Sequence, residues 1–166
     1  MSDLDISRSA PGDGSMGIRE IMQFLPHRFP FLLVDGVESC IPGESIRGYK
    51  NVTRHDAGSC SNRSVSAMPT LLVIEALAQV AVLLAMKTLS LNPNHENLFF
   101  FAGIDDGTFH DHAQPGDKLY LEARVLRLMR GRGIGKFATR AYVAEKGVAG
   151  ATMLAAMRQS PLETGS

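Results

Sequence analysis

The chain has 166 residues, 45% of them apolar and 20% charged, which suits one globular domain and leaves too little material for two good cores. Seventeen basic residues balance seventeen acidic ones, so no global field draws the protein onto nucleic acid or an anionic membrane, and neither partner is expected. Two cysteines, Cys40 and Cys60, lack metal-ligand or redox spacing, which argues against a disulfide framework or a zinc site and for a reducing cytoplasm.

Residues 1–16 are small, polar and acidic with almost nothing to bury, and are expected to form a loose tail without the apolar core of a secretion signal. The domain is expected over 17–158, with a second tail over 159–166. Ile18, Ile21, Met22 and Leu25 recur at helical spacing and predict a short amphipathic helix stopped by Pro26. Residues 31–37 and 44–52 read as two antiparallel strands joined at Pro42-Gly43.

Residues 71–91 contain no Gly or Pro and are apolar on every face, which predicts a long helix enclosed on all sides. Pro69 suits the first helical position and Asn92-Pro93 the exit. The most apolar part, 71–86, is shorter than the roughly 20 residues a bilayer needs and carries Glu75 and Gln79. Four further strand-like runs follow at 98–104, 118–129, 134–144 and 148–157, with a hairpin through Arg130-Gly131-Arg132-Gly133. The expected fold class is α+β: a curved antiparallel sheet of about six strands wrapped around one long central helix.

Glu75 stands among apolar neighbours, where burial would disfavour its charged form and leave a carboxylic acid able to donate a proton. A structural contact to a strand or subunit is the alternative. Gln79 lies one turn later on the same face and is placed to hydrogen-bond it. His27 reads as a loop histidine packed beside Pro26, and His110-Asp111-His112 as an exposed strand edge rather than a metal site. Between Lys118 and Arg140 seven basic residues face Glu122 alone, either a solvated hairpin or a local patch that steers an acidic partner.

Six strings occur in order: Leu25-Pro26-His27-Arg28-Phe29-Pro30-Phe31-Leu32-Leu33-Val34-Asp35; Lys50-Asn51-Val52-Thr53; Met68-Pro69 running into Ile74-Glu75-Ala76-Leu77-Ala78-Gln79; Phe101-Ala102-Gly103-Ile104-Asp105; Pro115-Gly116-Asp117; and Arg132-Gly133-Ile134-Gly135-Lys136-Phe137. Together they resemble the 3-hydroxyacyl-acyl-carrier-protein dehydratase family of hotdog-fold proteins over roughly residues 17 to 158. The resemblance implies a dehydration of a 3-hydroxyacyl thioester in fatty-acid or related acyl-chain synthesis, without a cofactor or metal. In that reaction a histidine takes the proton beside the thioester carbonyl, a helix carboxylic acid protonates the departing hydroxyl, and an N–H at the helix start holds the carbonyl oxygen.

By this resemblance Glu75 is the catalytic acid, and Thr70 stands where the family has the glycine whose N–H holds the carbonyl. Thr70, Gln79 and Asn62 are the expected substrate-binding residues, and Arg130, Arg132 and Lys136 the expected docking residues for an acidic carrier. Leu71, Leu72, Phe99, Phe101 and Phe109 are candidates to line an acyl tunnel. The departure is the histidine: the family's Gly-His-Phe-Pro string corresponds here to 59–67, which contains no histidine and is about one residue short. His55 and Asp56 upstream, and Cys60 within that stretch, are the candidate replacements.

The expected partners are therefore an acyl carrier protein or coenzyme A thioester and a second subunit, in a homodimer, a higher oligomer, or a heterodimer with a histidine-bearing homologue. A non-catalytic acyl-carrier-binding subunit and a hotdog acyl thioesterase are the alternatives.

Overall fold

The computed structural model describes residues 14–57, 67–93, 97–129 and 133–159. Helix α1 (Ile18–Phe24) leads into strands β1 (Gly36–Ile41) and β2 (Ser45–Asn51), the long helix α2 (Thr70–Thr88), then β3 (Asn97–Phe109), β4 (Lys118–Met129), β5 (Ile134–Val143) and β6 (Lys146–Gln159). The strands form one antiparallel sheet in the order β1-β2-β4-β5-β6-β3. α2 lies across β2, β4, β5 and β6, so the expected α+β architecture of a curved sheet around a central helix is the one observed.

Alternation along the strands turns Ile46, Leu119, Leu121, Phe137, Met153 and Ala155 toward α2, whose residues from Ala76 to Met86 are all buried. The close approach has a local requirement in β2. A side chain at Gly48 would meet Val80 Cγ2 at 3.3 Å and the Gly36 carbonyl at 3.1 Å, so a methyl group there would fit only if these neighbours gave way by a few tenths of an ångström. By length and hydropathy, 1.9 on average, α2 could cross a membrane, but 67% of that stretch is buried inside the protein. Its apolar surface is answered by the sheet.

Several boundaries differ from expectation, β3 for one running on to Phe109 rather than stopping at 104, and three of the differences have a visible reason. The first strand begins at Gly36 rather than at residue 31, because the Gln79 side chain takes up the Phe31 carbonyl and the Leu33 N–H. Those backbone groups then need no neighbouring strand. α2 ends at Thr88 rather than at 91. Ser90 adopts φ 52°, its N–H donates to the Lys87 carbonyl, and the Leu91 N–H reaches back to Met86, the hydrogen-bond pattern of a Schellman termination. Met16, expected in the tail, is instead buried and exchanges two backbone hydrogen bonds with Val37 beside β1.

The ends of α2 are tied to the sheet's loops. The Gly43 N–H in the β1–β2 turn donates to Thr88 Oγ1 at 2.7 Å, and that hydroxyl donates to the Leu84 carbonyl at 2.6 Å. At the other end the Met68 N–H donates to the Ala113 carbonyl at 2.8 Å. The first turn of α2 is therefore held at a fixed place beside the β3–β4 connection.

Candidate active site

The first turn of α2 is not enclosed. Pro69 and Leu71 are exposed, Leu71 at 80%, and although Val73 is buried, unbroken burial starts only at Ala76. This corrects the expectation of a helix covered on every side: the sheet covers the C-terminal two-thirds and leaves the start open. Glu75 sits at this transition, its side chain 38% exposed, so within one chain it is half-buried rather than sunk in apolar surroundings.

Its carboxyl is nevertheless oriented. Gln79 Nε2 donates to Glu75 Oε1 at 3.0 Å and to the Phe31 carbonyl at 2.7 Å, while Gln79 Oε1 accepts the Leu33 N–H at 2.9 Å. The backbone donor and acceptor at 31–33 permit only one orientation of the amide. Gln79, itself 1% exposed, thus belongs to the framework that aims Glu75, a role that its spacing on the helix made visible. Among the described residues no protein donor meets Oε2 of Glu75.

Thr70 opens α2 half-buried, five residues before Glu75. The Pro69 carbonyl receives Leu72 and Val73, and among the described residues no acceptor meets the Thr70 N–H. A first-turn N–H at the positive end of a 19-residue helix is chemically suited to a developing negative charge on a carbonyl oxygen.

His27 lies in the loop after α1, as expected, but it also reaches the site. Its Nε2 lies 3.5 Å from Glu75 Oε1, with the imidazole 36% exposed. Arg28 holds the segment in place by donating to the carbonyls of Met22, Leu25 and His27, which also caps α1. A contact between residues 48 positions apart leaves no periodic signal to read. The only local hint was the arginine following the histidine at a helix end.

The other candidates lie elsewhere. Asn62, Cys60, Arg130 and Arg132 are outside the described residues. Lys136, on β5, pairs with Asp105 of β3 at 3.3 Å. His55 is exposed and packs its ring against Phe29 with centroids 4.9 Å apart. Asp56 is committed to structure: burial alone would raise its carboxyl, but the Thr53 hydroxyl and N–H and the Lys50 ammonium at 3.3 Å outweigh that and hold it below the usual carboxylate range. It is a poor proton acceptor. Asp111 pairs with Lys146 and accepts the His112 N–H.

Leu71, Phe101 and Phe109 are exposed, so within a single chain they line no enclosed tunnel. A cavity of about 550 Å³ lies instead against the β5–β6 hairpin, lined by Arg47, His110, Arg140, Tyr142 and Glu145 among others. Three of those lining residues grip Glu122 of β4: Arg47 at 2.8 Å, Arg140 at 2.6 Å and Tyr142 at 2.7 Å. That cavity shares no residue with the surroundings of Glu75.

Several of the recognised strings are structural. Asp35 accepts the Asn51 N–H at 2.7 Å. Gly116 adopts φ 102° and donates to the Val52 carbonyl, while Val52 donates to Asp117. These contacts fasten the C-terminal end of β2 to the segment before β1 and to the turn before β4.

A six-stranded antiparallel sheet wrapped on one long helix, with a carboxyl aimed from the helix's open end, is a hotdog fold carrying a candidate acid. The chain belongs to the FabA-like family, whose model matches residues 25–152. It is 41% identical over 146 residues to the 3-hydroxyacyl-acyl-carrier-protein dehydratase FabZ of Shewanella loihica, covering 87% of this chain and 94% of the relative. The FabZ of Nitrosospira multiformis is 42% identical over 152 residues, covering 90% and 100%.

Among solved structures, the dehydratase heterocomplex ApeI:P from Xenorhabdus doucetiae superposes with a TM-score of 0.68 at 16% identity over 87% of this chain and 92% of that one. A hypothetical thioesterase with coenzyme A from Streptococcus pneumoniae gives 0.58 at 10% identity over 75% and 85%. Both show the shared fold.

Proposed function

We propose that this chain is a dehydratase-type subunit acting on 3-hydroxyacyl thioesters of an acyl carrier protein in fatty-acid or related acyl-chain synthesis, with Glu75 as proton donor and the general base supplied by a histidine of another chain. The observation that carries this reading is the aimed Glu75 carboxyl: Oε1 is held by Gln79 and, among the described residues, Oε2 meets no protein donor, beside the open start of α2. In the reaction the base takes the proton from C2, the C2=C3 double bond forms as the C3–O bond breaks, and Glu75 gives its proton to the departing hydroxyl, which leaves as water. The Thr70 N–H is positioned to hold the thioester oxygen as charge builds on it.

The source of the base follows from what the chain lacks. No histidine occurs between His55 and α2, and Asp56 is locked to Lys50 and Thr53. A second subunit is supported by the surface around Glu75: Leu71 is 80%, Phe29 81% and Phe31 60% exposed, an apolar rim suited to burial against another protein. Among the described residues β3 pairs on one side only, and it exposes Phe100, Phe101, Ile104 and Phe109, so its free edge can continue the sheet into that subunit. That a dehydratase heterocomplex shares this fold supports pairing with a histidine-bearing homologue.

The test is to mix the purified chain with such a homologue and measure dehydration of a 3-hydroxyacyl carrier protein. Activity exceeding that of the homologue alone and lost with Glu75→Gln is expected. Activity indifferent to Glu75→Gln removes the reading. A second reading, a carrier-binding subunit that turns over nothing, is favoured by the missing histidine and predicts carrier binding with no product in any mixture. Release of free thiol from acyl-coenzyme A would instead identify a thioesterase.

A further inference from the structure

The two ring nitrogens of His27 are not equivalent. Nδ1 is buried and has no hydrogen-bond partner among the described residues, whereas Nε2 faces Glu75 Oε1 at 3.5 Å. A sealed N–H without an acceptor is among the rarest arrangements in folded proteins, and a bare acceptor position is better tolerated. The ring proton therefore belongs on Nε2, pointing at Glu75. Gln79 presents a second N–H to the same oxygen, and its amide cannot turn over because Leu33 N–H needs Gln79 Oε1 as its acceptor.

An oxygen approached by two N–H groups has no lone pair left for a proton of its own. We propose that His27 is a positioning residue for Glu75: with Gln79 it holds Oε1 as an acceptor, so that the proton given to the departing hydroxyl is carried on Oε2. This role rests on the reading of Glu75 as proton donor. At 3.5 Å the Nε2 contact is longer than a formed hydrogen bond, and catalytic hydrogen bonds commonly tighten only when substrate is in place. The same geometry explains why His27 does not stand in for the missing base. To accept a proton at Nε2 it must carry its own on Nδ1, where none of the described residues receives it.

The test uses the full chain in its active mixture with a histidine-bearing homologue. His27→Phe keeps the ring and removes the N–H; His27→Gln keeps an N–H donor on a side chain of similar reach. The expected result is a kcat about tenfold lower for His27→Phe, with KM within about twofold, and recovery of most of the loss in His27→Gln, as for a single oriented hydrogen bond.

Nitrogen NMR of the full wild-type chain should show the proton on Nε2 and a bare Nδ1, with the Nε2 signal moving in Glu75→Ala. A proton on Nδ1, an unchanged kcat in His27→Phe, or equal losses in both variants that follow their melting temperatures would overturn the proposal. Absence of dehydration in the wild-type mixture would overturn the donor reading and this role with it, and the NMR result would then show separately whether the His27–Glu75 contact exists.

Discussion

Gln79 Nε2 and Glu75 Oε1 lie 3.0 Å apart, one turn along α2, and the same amide closes the backbone of the segment before β1 through Phe31 and Leu33. One buried side chain thus serves both the fold and the candidate site.

Replacing it with leucine should damage both. Gln79→Leu leaves the Phe31 carbonyl and the Leu33 N–H without their partner, and stranding two such groups costs about 2–5 kcal/mol. Urea denaturation should show that loss, and the variant should also lose dehydration because Glu75 is no longer aimed.

Glu75→Gln separates the two roles in the opposite direction. The carboxyl is part-exposed and the substitution keeps the side chain's methylenes in place, so stability should change by no more than about 0.5 kcal/mol. Dehydration in the mixed assembly should fall about 10²- to 10⁴-fold, as expected when a positioned proton donor is removed. A large drop in melting temperature would instead mark Glu75 as structural.

The positions that the sequence disclosed and those that it concealed differ in kind. Pro69, the Pro42-Gly43 turn and the strand alternation are local features, and the elements they predict are present in the expected order. The start of β1 was misplaced because Gln79, more than forty positions away, supplies the hydrogen bonds that a neighbouring strand was expected to give. The exposure of Leu71 was concealed because apolarity says that a surface is covered without saying by which chain. His27 was passed over because its meeting with Glu75 depends on how Arg28 closes the end of α1.

Acid should weaken the far face of the sheet before the core fails. Burial alone would raise the Glu122 carboxyl, but hydrogen bonds from Tyr142, Arg140 and Arg47 overcome this and hold it below its ordinary value of 4.5. A carboxyl depressed in the folded state adds stability above its unfolded value and loses it as pH falls through the folded one. Urea midpoints should therefore hold from neutrality to about pH 4.5 and decline below it. Glu122→Gln should flatten that decline, and an equal slope in both proteins would exclude Glu122 as its source.

Cys40 should be chemically quiet. It is buried in β1, and desolvation raises its thiol to about 11 despite the opposing charge of Lys87. Since the thiolate is the reactive form, a Cys60→Ser chain at pH 7 should react with a thiol reagent at the rate of global opening, rising sharply in denaturant. Rapid labelling under native conditions would show that β1 opens locally.

The one-sided pairing of β3 bears on how the protein's heat resistance should be measured. If its open flank is satisfied only by a neighbouring molecule, folding and association are a single equilibrium, and the melting point becomes a property of the solution as well as of the chain. Dilution should then lower it and a matching homologue should raise it. Charge placed on that flank, as in Ile104→Lys, should lower the melting point and abolish its response to concentration.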